Sequence, residues 1–80
     1  MSSERVIESR WEPLELFAND NHLDCGDYMY MGEHGDVSSY KHAGTRRYLH
    51  LKGPEADPMA WIDGGFFPIS DAEAVAHVLA

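Results

Sequence analysis

The chain has one cysteine and no long hydrophobic run. A single cysteine, Cys25, excludes an internal disulfide, which is typical of proteins from a reducing compartment. The sequence also lacks the ~20 consecutive apolar residues of a membrane-spanning helix, and residues 1–10 lack the apolar segment of a signal peptide. These absences predict a cytoplasmic protein that has no membrane partner.

Basic residues are scarce, and acidic residues are missing from one long stretch. The chain has 14 Asp and Glu against 6 Lys and Arg, which gives a net charge of −8. Between residues 37 and 54 there are four bases and no acid, so this stretch carries +4 and the rest of the chain −12. A strong negative field repels nucleic acid and attracts basic protein surfaces, although acidic surfaces also simply keep small domains soluble. We therefore expect a partner protein with a basic surface rather than nucleic acid.

Residue types used in catalysis are present without a catalytic motif. Serines, Cys25 and five histidines occur, but no nucleophile elbow or comparable local signature surrounds them. Carboxylates are abundant, yet acid–base chemistry needs shifted pKa values in a concave pocket. A two-layer domain of 80 residues has little room for such a pocket. The sequence predicts a protein that is not an enzyme and binds no cofactor.

Two groupings of residues invite a metal-site interpretation. The segment 20–25 contains Asp, His and Cys residues, but a structural zinc site needs four ligands in a recognisable spacing. His34, His42 and His50 recur every eight residues. In the hairpins described next, the first of these lies in a turn and the other two lie on opposite faces of a sheet. The three histidines are therefore not expected to converge, and no metal site is predicted.

Length and hydrophobic content predict one globular domain over residues 1–80. The hydrophobic fraction of 44% is well above that of disordered segments. The expected fold is α+β. It consists of a mainly antiparallel sheet of four to six strands, built from a three-strand meander and a second hairpin, with a C-terminal helix packed on one face.

Residues 27–52 predict the three-strand meander. The pairs 34–35 (His-Gly) and 43–44 (Ala-Gly) each offer a glycine where a tight hairpin needs a positive φ. If both turns are two-residue loops, Met29 pairs with Tyr40. Side chains alternate across a strand, so this register predicts a core face with Met29, Met31, Tyr40, Leu49 and Leu51. It predicts an outward face with Tyr28, Tyr30, Ser39, Lys41, Arg46, Tyr48 and His50.

The segment before the meander is ambiguous. Residues 7–11 are expected to form a strand, with a short helix as the alternative. Pro13 ends any helix that comes from upstream, or it occupies the first turn of a helix in which Leu14 and Phe17 share a face. Residues 18–26 are rich in Asn and Asp and predict a loop.

The segment after the meander contains clearer signals. Residues 53–58 hold two prolines and predict a loop, and residues 59–68 predict a hairpin around the Asp-Gly-Gly turn at 63–65. Its apolar residues are expected to add bulk to the core. The sequence Ser70-Asp71-Ala72-Glu73 is a capping box, and it starts a helix whose apolar residues recur at helical spacing. These are Ala72, Val75, Ala76 and Leu79.

Two groups of residues are candidates for partner binding. The outward sheet face combines Tyr28, Tyr30, Arg46 and Tyr48, which is the composition of a protein interface and also of a single-stranded nucleic-acid platform. The second group is acidic and surrounds the first strand, where it is expected to form a row of charges. Its members are Asp20, Asp24, Asp27, Glu33 and Asp36.

In size, acidity, lack of a catalytic motif and meander-plus-helix layout, the chain resembles the short acidic proteins with which phages inhibit bacterial defences. These are the anti-CRISPR and anti-restriction DNA mimics. The resemblance covers overall character rather than any motif. It implies an inhibitor that blocks the nucleic-acid-binding surface of a host complex with carboxylates placed as phosphates would be. Two alternatives stay open: a nucleic-acid-binding module that uses the Tyr/Arg face, and a cytoplasmic domain that assembles with itself.

Overall fold

The computed structural model describes residues 10–80, which adopt the predicted α+β fold. Five strands form one antiparallel sheet in chain order, β1 to β5. Both helices contribute side chains to the core on one face of this sheet. No helix within residues 10–80 is long and apolar enough to cross a membrane. The elements are α1 (Glu12–Asn21), a 3-10 turn (Cys25–Asp27), β1 (Tyr28–His34), β2 (Val37–His42), β3 (Tyr48–Lys52), β4 (Asp57–Ile62), β5 (Gly65–Pro68) and α2 (Asp71–Leu79).

Helix α1 forms because Pro13 suits the first helical turn, where no backbone donor is needed. Leu14 and Phe17 lie on its buried face, as the helical alternative predicted. The helix ends at His22, whose N–H bonds to the carbonyl of Ala18. The left-handed φ of 59° at His22 turns the chain so that the Leu23 N–H bonds to the same carbonyl at 2.9 Å. The predicted loop over 18–26 is therefore wrong for its first four residues. The predicted strand over 7–11 lies mostly outside the described residues.

The register of β1 differs from the prediction in two steps. The turn falls at Gly35-Asp36, which shifts the pairing by two residues and leaves the faces of residues 32–34 as predicted. A β-bulge between Tyr30 and Gly32 then takes up one residue, so Tyr30 pairs with Tyr40 and the side chains of residues 28–30 move to the opposite face. Tyr28 is therefore buried, with 6% of its surface exposed, whereas Met29 is 44% exposed. The predictions that Met29 and Met31 belong to the core and that Tyr28 and Tyr30 face outward are wrong.

The register of β3 also differs, but its faces are as predicted. Residues 43–47 form a longer loop than expected, and Tyr40 pairs with Leu49 rather than Arg47. This shift of two residues preserves the face of every β3 side chain. Leu49 and Leu51 are accordingly in the core.

The second hairpin is confirmed. Asp63 and Gly64 form its two-residue turn, with φ values of 51° and 82°. Positive φ at both positions is the requirement of a type I′ turn, which matches the natural twist of the strands. The loop predicted over 53–58 ends earlier, since β4 already begins at Asp57. Pro68 is the last residue of the edge strand, where a missing donor costs no ladder hydrogen bond.

The capping box at the start of α2 is present. The Ser70 hydroxyl accepts from the Glu73 N–H at 3.1 Å, and the Glu73 carboxylate accepts from the Ser70 N–H at 2.9 Å. The buried face of α2 differs from the prediction, because Ala74 and Val78 are in the core while Leu79 is exposed. Alanine recurs at every second position of this segment, so the sequence is compatible with two apolar helix faces of similar size.

Tyr40 lies at the centre of the core and has no exposed surface. The rings of Trp11 and Tyr30 lie 5.8 Å from its ring centroid. Its hydroxyl donates to the carbonyl of Arg10 at 2.6 Å. The meander is thereby tied to the chain that enters α1, on the sheet face covered by the helices.

Candidate binding surface

The sheet face opposite the helices is concave. His34 belongs to β1 and Phe66 to β5, the two edge strands, yet their rings are 5.9 Å apart. In a flat sheet, four strand spacings of ~4.8 Å would separate these edges by about 19 Å. The sheet therefore curls, and its two edges approach each other on this face.

A cleft opens where β3 and β4 separate. Their pairing covers three residues on each strand and ends at the pair His50 and Met59. Beyond this pair, the strand ends, the loop before β3 and Ala74 and His77 of α2 border a space of about 840 Å³ that opens to solvent. This space therefore extends from the concave face, through the gap between the strands, to α2. We call this space the cleft. It is lined by His34, Arg46, Arg47, Tyr48, Leu49, His50, Met59, Ala60, Trp61, Ile62, Phe66, Ile69, Ala74 and His77.

Aromatic rings form one wall of the cleft. Tyr48 and His50 are stacked, with centroids 5.7 Å apart and planes 19° apart. Phe66 meets His50 edge-on at 5.1 Å and Trp61 at 4.7 Å. These are the offset and edge-to-face arrangements that aromatic pairs prefer. The wall is therefore a fixed group of rings rather than a set of independent side chains.

His50 is an uncharged member of this wall at neutral pH. Burial lowers its pKa below 6.5, and His77 lowers it further. Its Nδ1 lies 2.7 Å from the Ser39 hydroxyl, which holds the ring in place. His50 consequently offers a neutral, oriented imidazole to the cleft.

The cleft is cationic in an acidic protein. Of residues 10–80, Arg46 and Arg47 line it and no carboxylate does, although acids outnumber bases 14 to 6 in the chain. The ammonium group of Lys41 lies nearby, 5.9 Å from the centroid of Tyr48. The cleft is thus the place where the basic stretch of the sequence meets the aromatic residues of the second hairpin.

The end of the β4–β5 hairpin is unusually apolar for a surface. Trp61, Ile62 and Phe67 are exposed to 52%, 50% and 51%, and we call these three residues the hairpin tip. Because side chains alternate along a strand, Trp61 lies on the same face of the hairpin as Phe66, while Ile62 and Phe67 lie on its other face. Exposed apolar groups of this size mark interaction sites in small soluble proteins. Aromatic residues in particular dominate the energetics of protein interfaces.

Two of the predicted partner-binding tyrosines are not at this surface. Tyr28 is buried and packs edge-on against His42, with ring centroids 5.0 Å apart. Tyr30 packs against Trp11 and the Arg10 guanidinium, which lies 5.0 Å from its centroid. The one-residue change of register explains both corrections, since it turns these side chains toward the helices.

The other two members of that predicted group do line the cleft. Tyr48 and Arg46 are brought together there, although the predicted register placed them on a flat outward face. The prediction omitted Trp61 and Phe66, which were expected to add to the core. The signal that could have identified them is the short final strand ending at Pro68, because an edge strand of four residues leaves much of the hairpin surface uncovered.

The predicted acidic residues fall into two groups. Asp20, Asp24 and Asp27 precede β1, and the Asp24 carboxylate accepts from the Gly26 N–H at 2.9 Å. Glu33 and Asp36 lie at the other end, in and after the strand. The two groups are separated by most of β1, whose 7 residues span ~23 Å. The acids therefore lie near the two ends of one edge strand, with few between them.

The histidines only partly follow the prediction. His42 lies beside Tyr28 in the core, on the opposite sheet face from His50, as expected. His34, however, packs against Phe66 together with His50, so two of the three do converge. Within residues 10–80, no group of three or more His, Cys, Asp or Glu is placed to hold a metal ion.

Cys25 lies in a second, smaller depression beside α1, with a volume of about 360 Å³. Burial raises the pKa of its thiol, and Glu15 and Asp24 raise it further. A thiol needs a lowered pKa to be a good nucleophile at neutral pH. The surroundings of Cys25 therefore suppress its reactivity.

No protein-family model, curated protein or solved structure matches this chain. Its functional interpretation accordingly depends on the geometry of the concave face. That geometry provides apolar contact area, stacked rings and positive charge.

Proposed function

We propose that this protein acts by binding another protein through the hairpin tip, without catalysing a reaction. The observation that supports this most strongly is the exposure of Trp61, Ile62 and Phe67 to about half of their surface. Three large apolar side chains at the end of one hairpin cost solubility in a small domain. A partner that buries them would gain ~25 cal/mol for each Å² of apolar area removed from water.

The acidic surface contributes long-range attraction in this proposal. The net charge of −8 favours encounter with a basic protein surface. Rim charges act mainly on the association rate, while buried apolar anchors act mainly on the dissociation rate. The two acidic groups at the ends of β1 would therefore steer a partner that the hairpin tip then holds.

The partner class that we propose is a cytoplasmic, basic protein that handles nucleic acid, with a bacterial defence complex of the CRISPR or restriction type as the leading case. Small size and acidity support this version, in which the bound protein inhibits the complex. The separation of the acids into two groups supports inhibition by an apolar anchor with charge steering, more than a continuous imitation of a phosphate row.

The experiment is affinity capture from a bacterial lysate with matched variants. The double variant Trp61→Ser, Phe67→Ser removes the hairpin tip. The control Leu16→Ser removes an apolar residue that is 46% exposed on α1 and does not line the cleft. We expect one partner to be retained by the wild type and the control and lost by the double variant. Capture that is equal in all three proteins would contradict the proposal.

Self-association is tested in the same series. Sedimentation of the purified wild type should show a monomer that becomes larger only with the captured partner. A dimer that dissociates in the Trp61→Ser, Phe67→Ser variant would instead identify a second copy of the chain as the occupant of the hairpin tip.

A further inference from the structure

The cleft contains groups that protein binding by the hairpin tip does not require. A protein anchor requires apolar area, which Trp61, Ile62 and Phe67 provide. The cleft adds stacked rings, two arginines and a volume of about 840 Å³, which is within the ~300–1,000 Å³ of typical small-ligand pockets. These additions suggest a ligand that is both planar and anionic.

The rings supply a surface for a planar group. Tyr48 and His50 are stacked, and the edges of Phe66 and Trp61 border the same space. A base that stacks on an aromatic side chain gains ~1–3 kcal/mol, and the gain tolerates different bases because each has a π-face. Since the Ser39 hydroxyl holds His50 at 2.7 Å, the platform exists before a ligand arrives.

The arginines are held by a loop with its own internal support. In the loop 43–47, the Thr45 N–H donates to the His42 ring at 3.1 Å, and the Thr45 hydroxyl donates to the carbonyl of Val78 at 2.6 Å. Arg46 has a φ of 67°, a left-handed conformation that is uncommon for a residue with a side chain. Such conformations persist where the surroundings enforce them, and they cluster at ligand-binding sites.

The electrostatics favour an anion at this place. Arginine presents a planar set of donors that matches the geometry of a phosphate group. Among residues 10–80, no carboxylate lines the cleft to neutralise Arg46 or Arg47. A cationic pocket in a protein with a net charge of −8 thus attracts an anion to this site, while the rest of the protein repels it.

We propose that the cleft binds a nucleotide, with its base against the ring wall of Tyr48, His50, Phe66 and Trp61 and its phosphate on Arg46 and Arg47. The shared chemistry is a planar heterocycle joined to a phosphate. A free mononucleotide and one residue of a single strand both present it. The cleft shares Trp61 and Ile62 with the hairpin tip, whereas Phe67 and the two arginines belong to one proposal each.

The test is a titration followed by two-dimensional NMR of the ¹⁵N-labelled chain. The probes are adenosine 5′-monophosphate, adenosine and inorganic phosphate, each at up to ~5 mM, because a dissociation constant of 1 mM corresponds to ~4 kcal/mol. The indole signal of Trp61 reports on the cleft, and that of Trp11 in the core is the internal control. We expect the mononucleotide to shift the Trp61 signal and to bind at least about tenfold more tightly than adenosine or phosphate alone, because both halves contribute.

Matched variants then locate the phosphate. A hydrogen bond to a charged group contributes ~1.5–3 kcal/mol, and 1.4 kcal/mol is tenfold in affinity, so Arg46→Gln and Arg47→Gln should each weaken binding by about tenfold or more. Lys52→Gln removes the same charge outside the cleft and should leave affinity unchanged. Phe67→Ser should also leave nucleotide affinity unchanged while it weakens capture of the partner protein, which separates this proposal from the previous one.

A short oligothymidylate distinguishes the two sources of the ligand. Tighter binding of the oligonucleotide than of the mononucleotide identifies a single strand, and the reverse order identifies a free nucleotide; either result supports the site. The proposal is overturned by a Trp61 signal that does not move at ~5 mM mononucleotide. It is equally overturned by adenosine binding as tightly as the mononucleotide, or by Lys52→Gln weakening binding as much as the arginine variants do.

Discussion

Tyr28 and Tyr40 are both buried, and removing their hydroxyl groups should change the free energy of unfolding in opposite directions. Tyr40 has no exposed surface and Tyr28 has 6%. The Tyr40 hydroxyl donates to the Arg10 carbonyl at 2.6 Å. The Tyr28 hydroxyl has no hydrogen-bond partner within residues 10–80. Replacing each tyrosine by phenylalanine keeps the ring packing and removes only the hydroxyl.

The expected magnitudes follow from these surroundings. A typical hydrogen bond contributes ~0.5–1.5 kcal/mol net to stability, whereas burying a polar group without a partner costs ~1–3 kcal/mol. Tyr40→Phe should therefore lower the free energy of unfolding by about 1 kcal/mol, and Tyr28→Phe should raise it by a similar amount. In a domain of this size, 1 kcal/mol shifts the melting temperature by ~4–8 °C.

Thermal unfolding followed by far-UV circular dichroism measures both shifts. Two further variants test the register of β1 in the same assay. Tyr28→Ala should cost ~3–5 kcal/mol, as for other buried aromatic residues, while Met29→Ala should stay within about 0.5 kcal/mol of the wild type, as for surface positions. A lower melting temperature for Tyr28→Phe, or a larger loss for Met29→Ala than for Tyr28→Ala, would refute the placement of these two residues.

Three further outcomes are expected. Ser70→Ala removes the N-cap of α2 and should cost ~1 kcal/mol, measured as a lower urea midpoint; an unchanged midpoint would mean that the cap contributes nothing. Burial raises the pKa of Tyr40 from 10.0 to about 12, so the folded state keeps a proton that the unfolded state loses. The melting temperature should therefore fall as the pH rises from 10 toward 12, and it should fall less in the Tyr40→Phe variant. Burial lowers the pKa of His50 below 6.5, so its contribution to stability should be fully present above pH 6.5 and should be lost on acidification. NMR titration of the His50 ring should give a midpoint below that of free histidine.

The sequence predicts the order of the strands better than their faces. The capping box at Ser70 and the Asp63-Gly64 turn were identified because each depends on a few adjacent residues with a fixed physical role. The turn of the first hairpin depends on where one glycine sits. Gly35 served as the first turn residue rather than the second, and a bulge between Tyr30 and Gly32, which no turn signal records, exchanged Tyr28 with Met29 between the core and the surface.

The cleft could not be predicted because it depends on the curvature of the whole sheet. Arg46 and Tyr48 were recognised as binding residues from their types alone. Their nearness to Trp61 and Phe66 requires β3 and β4 to separate after the pair at His50, and no local pattern records where a strand pair ends. The charge of the cleft was nevertheless visible in the sequence, as the acid-free stretch between residues 37 and 54.

The central claim is that a partner protein is held by the hairpin tip and steered by the acids. Its most direct test is the binding kinetics of the captured partner by surface plasmon resonance, at several salt concentrations. Trp61→Ser should mainly raise the dissociation rate, whereas the double reversal Asp24→Lys, Asp27→Lys should slow association, flatten its salt dependence and leave dissociation nearly unchanged. A dissociation rate that Trp61→Ser leaves at the wild-type value, while the acidic reversal raises it, would contradict the claim and identify the acids as the anchor.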